Sequence, residues 1–129
     1  MIIKLKISRA QIKDFRVALL HLFDKQLSVF NYLEYYNTMN IINKVNNIYF
    51  RSNMNTTKNF TLSLDPNQGN QFLKLVSGRN DLFNQSAYYK AMFIGFCNDI
   101  HKQNSNYAVY NINNSLREQQ QRIEKLNQG

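Results

Sequence analysis

Alternating apolar and charged residues open the chain. In the segment "MIIKLKI" the apolar positions are Ile3, Leu5 and Ile7, and the residues between them are Lys4 and Lys6. A period of two places the apolar side chains on one face and the lysines on the other. The pattern predicts a half-buried strand with a basic outer face.

An amphipathic helix is predicted to follow this strand directly. Ser8, with Gln11 three residues later, forms the capping-box pattern that starts a helix. Apolar residues then recur at helical spacing along one stripe: Ile12, Phe15, Leu19, Leu22 and Phe23.

The same pattern of strand, cap and helix returns at residues 60–76. Leu62 and Leu64 alternate with polar residues, and Asp65 then stands where an N-cap is expected. Pro66 follows at the first helical position, where its missing N–H is not needed. The recurrence predicts a second strand and a second capped helix.

A second helix is expected in each half of the chain, marked by two tyrosines. These helices contain "EYYNTMNI" (34–41) and "AYYKAMFI" (87–94). The later one is apolar around most of its circumference, which predicts a central core helix. In the second half the break between the helices is clear, at "SGRND" (77–81). In the first half the break, within 24–28, is weak, so one long bent helix remains an alternative there.

Aromatic, β-favouring residues follow both Tyr-Tyr segments. The runs "NIYFR" (47–51) and "NYAVYNI" (106–112) predict closing strands. The polar residues 52–58 would then join the first of these strands to the strand at 59–64 as a hairpin loop.

Together these elements predict an α+β fold with a small, mainly antiparallel sheet covered by helices. We expect a single domain over residues 1–129, with β-α-α-β pseudo-repeat halves at about 1–52 and 59–112 and a C-terminal helix at about 114–127. The alternative is a helical bundle in which the two alternating segments form only a two-stranded ribbon.

Charge suggests a polyanionic partner. Sixteen Lys and Arg residues against eight Asp and Glu residues give a net charge of +8, which attracts polyanions at long range. Part of this charge is clustered near the N-terminus, at Lys4, Lys6, Arg9, Lys13 and Arg16. The cluster is a candidate surface for nucleic-acid phosphates. The alternative is an ordinary solvated helix face.

The C-terminal helix is a candidate interface between copies of the chain. Leu116, Ile123 and Leu126 lie seven and three residues apart, which is the spacing of a short coiled-coil seam. This spacing predicts a homodimer. The alternative is that the helix covers the edge of the chain's own sheet.

Residues suited to catalysis or metal binding are few. Cys97 is the only cysteine, so neither an intrachain disulfide nor a cysteine-based zinc site can form. Its apolar helical context is typical of a thiol that packs as a small hydrophobic group. His21 and His101 show no spacing to a third ligand. We therefore expect no catalytic, cofactor or metal site.

The sequence thus favours a non-enzymatic binding or interaction module that is homodimeric. The alternative is a nucleic-acid-binding accessory protein that uses the basic N-terminal strand and helix. Lysine and arginine interrupt the first twenty residues, which is unlike a signal peptide, and no apolar run is long enough to span a membrane. We expect a cytoplasmic protein without a membrane partner.

Overall fold

A computed structural model describes residues 1–52, 59–77 and 86–128, with the side chains of 107–112 and 127–128 left aside. In chain order the elements are strand β1 (Ile3–Ser8), helix α1 (Arg9–Gln26), a 3₁₀ turn (Leu27–Val29), helix α2 (Tyr32–Ser52), strand β2 (Asn59–Leu64), helix α3 (Pro66–Ser77) and helix α4 (Ala87–Gln128).

The two strands form an antiparallel ribbon. Leu5 lies opposite Leu62 at its centre, and Ile3 lies opposite Leu64. The apolar side chains of both strands are buried against the helices, as the alternation predicts. The α+β class and the antiparallel sheet are therefore confirmed. In the described residues the sheet has two strands, as in the ribbon of the alternative prediction.

Reciprocal side-chain caps start both helices that follow a strand. Ser8 Oγ accepts from the Gln11 amide and Gln11 Oε1 accepts from the Ser8 amide, each at 3.2 Å. Asp65 Oδ1 accepts from the Gln68 amide at 2.8 Å, and Gln68 Oε1 accepts from the Asp65 amide at 3.1 Å. These caps satisfy backbone donors that the first turn leaves unpaired, and they confirm the predicted helix starts.

Helices α1 and α2 are separate. A third pair of this kind stands at Asn31, whose Oδ1 accepts from the Glu34 amide at 2.8 Å while Glu34 Oε1 accepts from the Asn31 amide at 3.3 Å. This cap starts a new helix and excludes one long bent helix.

The predicted closing strand at 47–51 is wrong, because these residues form the last turns of α2. Helical periodicity decides the conformation. Ile41, Ile42 and Val45 are buried on one face of α2, and Ile48 and Tyr49 continue that face against the core. Burial of this stripe outweighs the β preference of an isolated aromatic run. The hairpin prediction loses its first strand, and residues 53–58 lie outside the described residues.

The predicted closing strand at 106–112 is also wrong, since these residues continue helix α4. No proline or glycine stands between Gly95 and Gly129 to interrupt it, and the helix runs for 42 residues. The predicted C-terminal helix at 114–127 is its last part rather than a separate element. The break predicted at 77–81 begins where α3 ends, and 78–81 lie outside the described residues.

A cluster of phenylalanines joins α1, α3 and α4 beneath the ribbon. The ring centroid of Phe15 lies 6.0 Å from that of Phe72, 5.4 Å from that of Phe93 and 5.1 Å from that of Phe96. Phe15 is completely buried. The sequence order strand, helix, helix occurs twice around this core, and the origin of the two halves from a duplicated unit stays a prediction.

The later Tyr-Tyr helix is less central than its composition indicates. Helix α4 buries Met92, Phe93, Phe96 and Ile100 on one face, whereas the side chain of Ile94 is 44% exposed. It is therefore covered on one side in its described part, as α2 is.

Candidate nucleic-acid interface

The ribbon surface that faces away from the helices ends in the Ser8–Asn59 pair, and the four side chains beyond that pair are the ones we name the outer ribbon face. Its members are Lys4 and Lys6 on β1 and Thr61 and Ser63 on β2. Lys4 lies directly opposite Ser63 and Lys6 directly opposite Thr61, and all four are exposed. The face combines two positive charges with two hydroxyl groups, and none of the four is acidic.

One edge of the ribbon is covered by a glutamine of α4. Gln103 Oε1 accepts from the backbone N–H of Lys4 at 2.9 Å, and Gln103 Nε2 donates to the carbonyl oxygen of Lys4 at 2.8 Å. The amide group thus takes the place that a neighbouring strand would occupy. It pairs the backbone of Lys4 and leaves its ammonium group directed outward.

The other edge is covered by a lysine of α2. Lys44 Nζ donates to the carbonyl oxygen of Ser63 and to Gln68 Oε1, both at 2.7 Å. Gln68 also belongs to the cap of α3, so one ammonium group ties α2 to β2 and α3. These short charge-assisted bonds fix the position of β2.

The predicted basic residues of α1 separate into two groups. Arg9 and Lys13 lie on exposed positions in the first turns of α1, next to the end of β1. Within the described residues, neither forms a hydrogen bond or ion pair through its side chain, and the same is true of Lys4 and Lys6. These four exposed cations are the candidate ligand contacts.

Arg16, in contrast, belongs to the packing of α1 on α2. Its Nε donates to Asn46 Oδ1 at 2.7 Å, and its guanidinium carbon lies 4.9 Å from the ring centroid of Tyr49 and 5.5 Å from that of Phe50. The planar guanidinium is therefore held over aromatic rings and is half-buried. The sequence prediction grouped Arg16 with the free cations, but its contacts are structural.

The start of α4 lies beside α1. Partial burial raises the pKa of Tyr88, and the Asp14 carboxylate, which also accepts a hydrogen bond from the phenol, raises it further. The contact gives Asp14 a partner within the fold. The Asp14 carboxylate, next to Lys13 in the sequence, is thus hydrogen-bonded to Tyr88.

The candidate interface residues of α4 are on the surface. Leu116 is 59% exposed, Ile123 58% and Leu126 80%. The neighbouring positions from 115 to 126 are also exposed. Within the described residues, the three apolar side chains of this seam are not covered by any other part of the chain.

Cys97 and His101 lie together in a mostly apolar groove between α3 and α4. The groove has a volume of about 460 Å³, and Leu73, Val76 and Ile94 also line it. Desolvation raises the pKa of the Cys97 thiol to about 11, so the unreactive thiol form dominates at neutral pH. His21 is half-buried on α1, and the described residues contain no group of three potential metal ligands.

Sequence reasoning missed half of the outer ribbon face and both residues that hold its edges. The alternation of "TLSL" could have placed Thr61 and Ser63 outward opposite the lysines once the two strands were paired. Nothing in the sequence pattern marks Lys44 or Gln103, because their contacts depend on how α2 and α4 cross the ribbon.

Comparison of the chain with protein-family models, with curated proteins and with solved structures finds no match. Among the described residues, no helix combines the length and the apolar character that a membrane span needs.

Proposed function

We propose that the protein binds double-stranded DNA by placing the outer ribbon face in the major groove. The observation that carries the proposal is the ribbon, two-stranded in the described residues, with Lys4 and Lys6 on its exposed side. The major groove is about 12 Å wide and admits either an α-helix or a two-stranded β-ribbon. Side chains that stand outward from a ribbon reach the edges of the bases there.

The distribution of charge around the ribbon supports the same interaction. Arg9 and Lys13 lie beside the end of β1, where they can contact phosphates next to the groove. Lys44 adds a cation at the edge of β2. Contacts of this kind release counterions and make binding strongly dependent on salt. A basic ribbon on a chain of net charge +8 therefore favours DNA over a neutral partner.

A comparison of two double variants with equal loss of charge tests the proposal. Lys4→Gln/Lys6→Gln removes the cations of the outer ribbon face, whereas Lys25→Gln/Lys125→Gln removes two exposed lysines from the last turns of α1 and α4. Affinity for a random-sequence duplex is measured by fluorescence anisotropy at several salt concentrations.

We expect the ribbon variant to bind at least tenfold more weakly. Its slope of log affinity against log salt should change by less than about 1, because Lys4 and Lys6 are placed on base edges, whereas each neutralised phosphate contributes about 0.9. The control variant should lose much less. Equal losses in the two variants, or no binding by the wild type at low salt, would contradict the proposal.

The exposed seam of α4 supports a second proposal, a homodimer formed through Leu116, Ile123 and Leu126. Large apolar side chains at coiled-coil spacing on an exposed helix gain free energy when a second copy covers them. Analytical ultracentrifugation of the wild type and of Leu116→Gln/Ile123→Gln/Leu126→Gln tests this interface. We expect a dimer for the wild type and a monomer for the variant, and a wild type that is monomeric at 100 μM would refute it.

The cytoplasmic location and the absence of a membrane partner stay predictions.

A further inference from the structure

The two strands of the ribbon present different chemistry to a ligand. Both ammonium groups of the outer ribbon face belong to β1, at Lys4 and Lys6, and both hydroxyl groups belong to β2, at Thr61 and Ser63. A single chain supplies both strands, so the two sides of the ribbon are free to differ.

The backbone of the ribbon, by contrast, is arranged around a local two-fold axis. In this antiparallel register, a two-fold rotation about the centre of the Leu5–Leu62 pair places Lys4 on Thr61 and Lys6 on Ser63. Each strand is followed by a reciprocal cap and a helix, at Ser8 and at Asp65. The backbone of the ribbon and its two caps are therefore close to two-fold symmetric. The four side chains that would face the bases are not related by this symmetry.

Duplex DNA also has local two-fold axes, so a symmetric ribbon would read a palindromic site. Lysine only donates hydrogen bonds, and its preferred partners in the major groove are O6 and N7 of guanine. Serine and threonine hydroxyls both donate and accept, and they discriminate less between bases. Unlike side chains at symmetry-related positions therefore select unlike bases.

We infer that one chain recognises a non-palindromic duplex site, with guanines under Lys4 and Lys6 that are not repeated at the symmetry-related positions under Thr61 and Ser63. This inference rests on the proposed DNA-binding function. It adds that the specificity is asymmetric and that β1 supplies most of it.

Selection of bound sequences from a random duplex pool tests the inference with the full chain. Two double variants are selected in parallel. Thr61→Lys/Ser63→Lys makes the outer ribbon face symmetric, and Asn98→Lys/Gln121→Lys adds the same charge at exposed positions of α4 outside the apolar seam. Both substituted ribbon residues point outward, and thermal melting monitored by circular dichroism verifies that each variant is folded.

The wild type should yield a non-palindromic site, and replacing one of its guanines by adenine should weaken binding by about five- to 150-fold. The symmetric ribbon variant should yield a palindrome with guanines on both halves, whereas the α4 variant should keep the site of the wild type. Two chains joined through α4 would repeat the whole asymmetric site at a separation of about one helical turn or more. Such a repeat differs from a palindrome centred within one site.

A wild-type site whose palindrome is centred within a single ribbon contact would overturn the inference, as would an unchanged site for Thr61→Lys/Ser63→Lys. Tight duplex binding without any enriched sequence would also overturn it, while leaving the proposed function intact. Absence of duplex binding in every variant would overturn the proposed function itself.

Discussion

Lys4 and Ser63 lie directly opposite each other in the ribbon, and each is held from its outer side by a different helix. Gln103 of α4 pairs both backbone groups of Lys4, and Lys44 of α2 donates to the carbonyl oxygen of Ser63. A two-stranded ribbon alone is only marginally stable and offers two open edges. Closing both edges at the same level leaves the outer ribbon face as the exposed surface of this sheet.

Gln103→Ala should destabilise the fold by about 1–2 kcal/mol, since it removes two hydrogen bonds to the Lys4 backbone. Urea denaturation monitored by circular dichroism measures the free energy of unfolding. The control is Gln121→Ala, an exposed glutamine on the same helix outside the apolar seam, which should change it by less than about 0.5 kcal/mol. Equal effects of the two substitutions would contradict a specific role for Gln103.

Lys44→Met should destabilise the fold by about 1 kcal/mol. The substitution keeps most of the aliphatic length but removes the donor shared by Ser63 and Gln68. The same urea titration applies, with Lys90→Met at an exposed position of α4 as the control. A Lys44 variant as stable as the wild type would show that these bonds do not hold the edge of β2.

Phe15→Ala should cost about 3–5 kcal/mol, because it leaves a cavity between three helices that contact one another through this ring. The variant is expected to be largely unfolded at room temperature if the wild type has ordinary stability. Phe50→Ala, at a residue that is 62% exposed, should cost much less. Similar melting temperatures for the two variants would contradict the assigned core.

Arg16→Lys should lower stability by about 1 kcal/mol while leaving DNA affinity nearly unchanged. Lysine keeps the charge but loses the Nε bond to Asn46 and the planar group over Tyr49. Measuring urea stability together with duplex affinity separates the two effects. A large loss of DNA affinity in a stable Arg16→Lys protein would show that Arg16 contacts DNA and would contradict its structural role.

Cys97 should react slowly with an aromatic disulfide reagent. A thiol pKa of about 11 leaves about 100-fold less thiolate at pH 8 than the ordinary value of 9.0 would. The reaction rate should therefore rise about tenfold per pH unit until the pH approaches 11. The unfolded chain in urea provides the control, and a rate that reaches a plateau by pH 9 would contradict the shift.

The same shift predicts how stability depends on pH. Because the folded-state pKa is raised, the stabilising contribution of Cys97 is complete below pH 9 and is lost as pH rises from about 9 to about 11. Cys97→Ala should have a flatter profile in this range. Tyr88, whose pKa is also raised, should account for part of the dependence that remains.

Local signals predicted the elements that local chemistry determines. The capping pairs at Ser8 and Asp65, together with alternating residues before them, were sufficient for both strands and both following helices. The aromatic runs at 47–51 and 106–112 were misinterpreted, because β preference is weak beside a continuing helical stripe or an uninterrupted helix. The helical conformation of both runs is determined by tertiary packing and by the continuation of the helix, which the local residues do not reveal.

Only part of the candidate site was predictable from the sequence. Periodicity placed Lys4 and Lys6 outward, and the structure agrees. It could not separate Arg16 from Arg9 and Lys13, because all three share one face of α1 and only the position of α2 distinguishes them. Lys44 and Gln103 are far from the strands in sequence, so only the folded chain brings them to the ribbon.

The most direct test of the account is a titration of the ¹⁵N-labelled protein with a duplex, followed by amide chemical shifts. We expect the largest changes at Lys4, Lys6, Thr61 and Ser63, with smaller changes at Arg9 and Lys13 and almost none at Lys25. Changes confined to the exposed part of α4, with the amides of the outer ribbon face unmoved, would contradict binding through the ribbon.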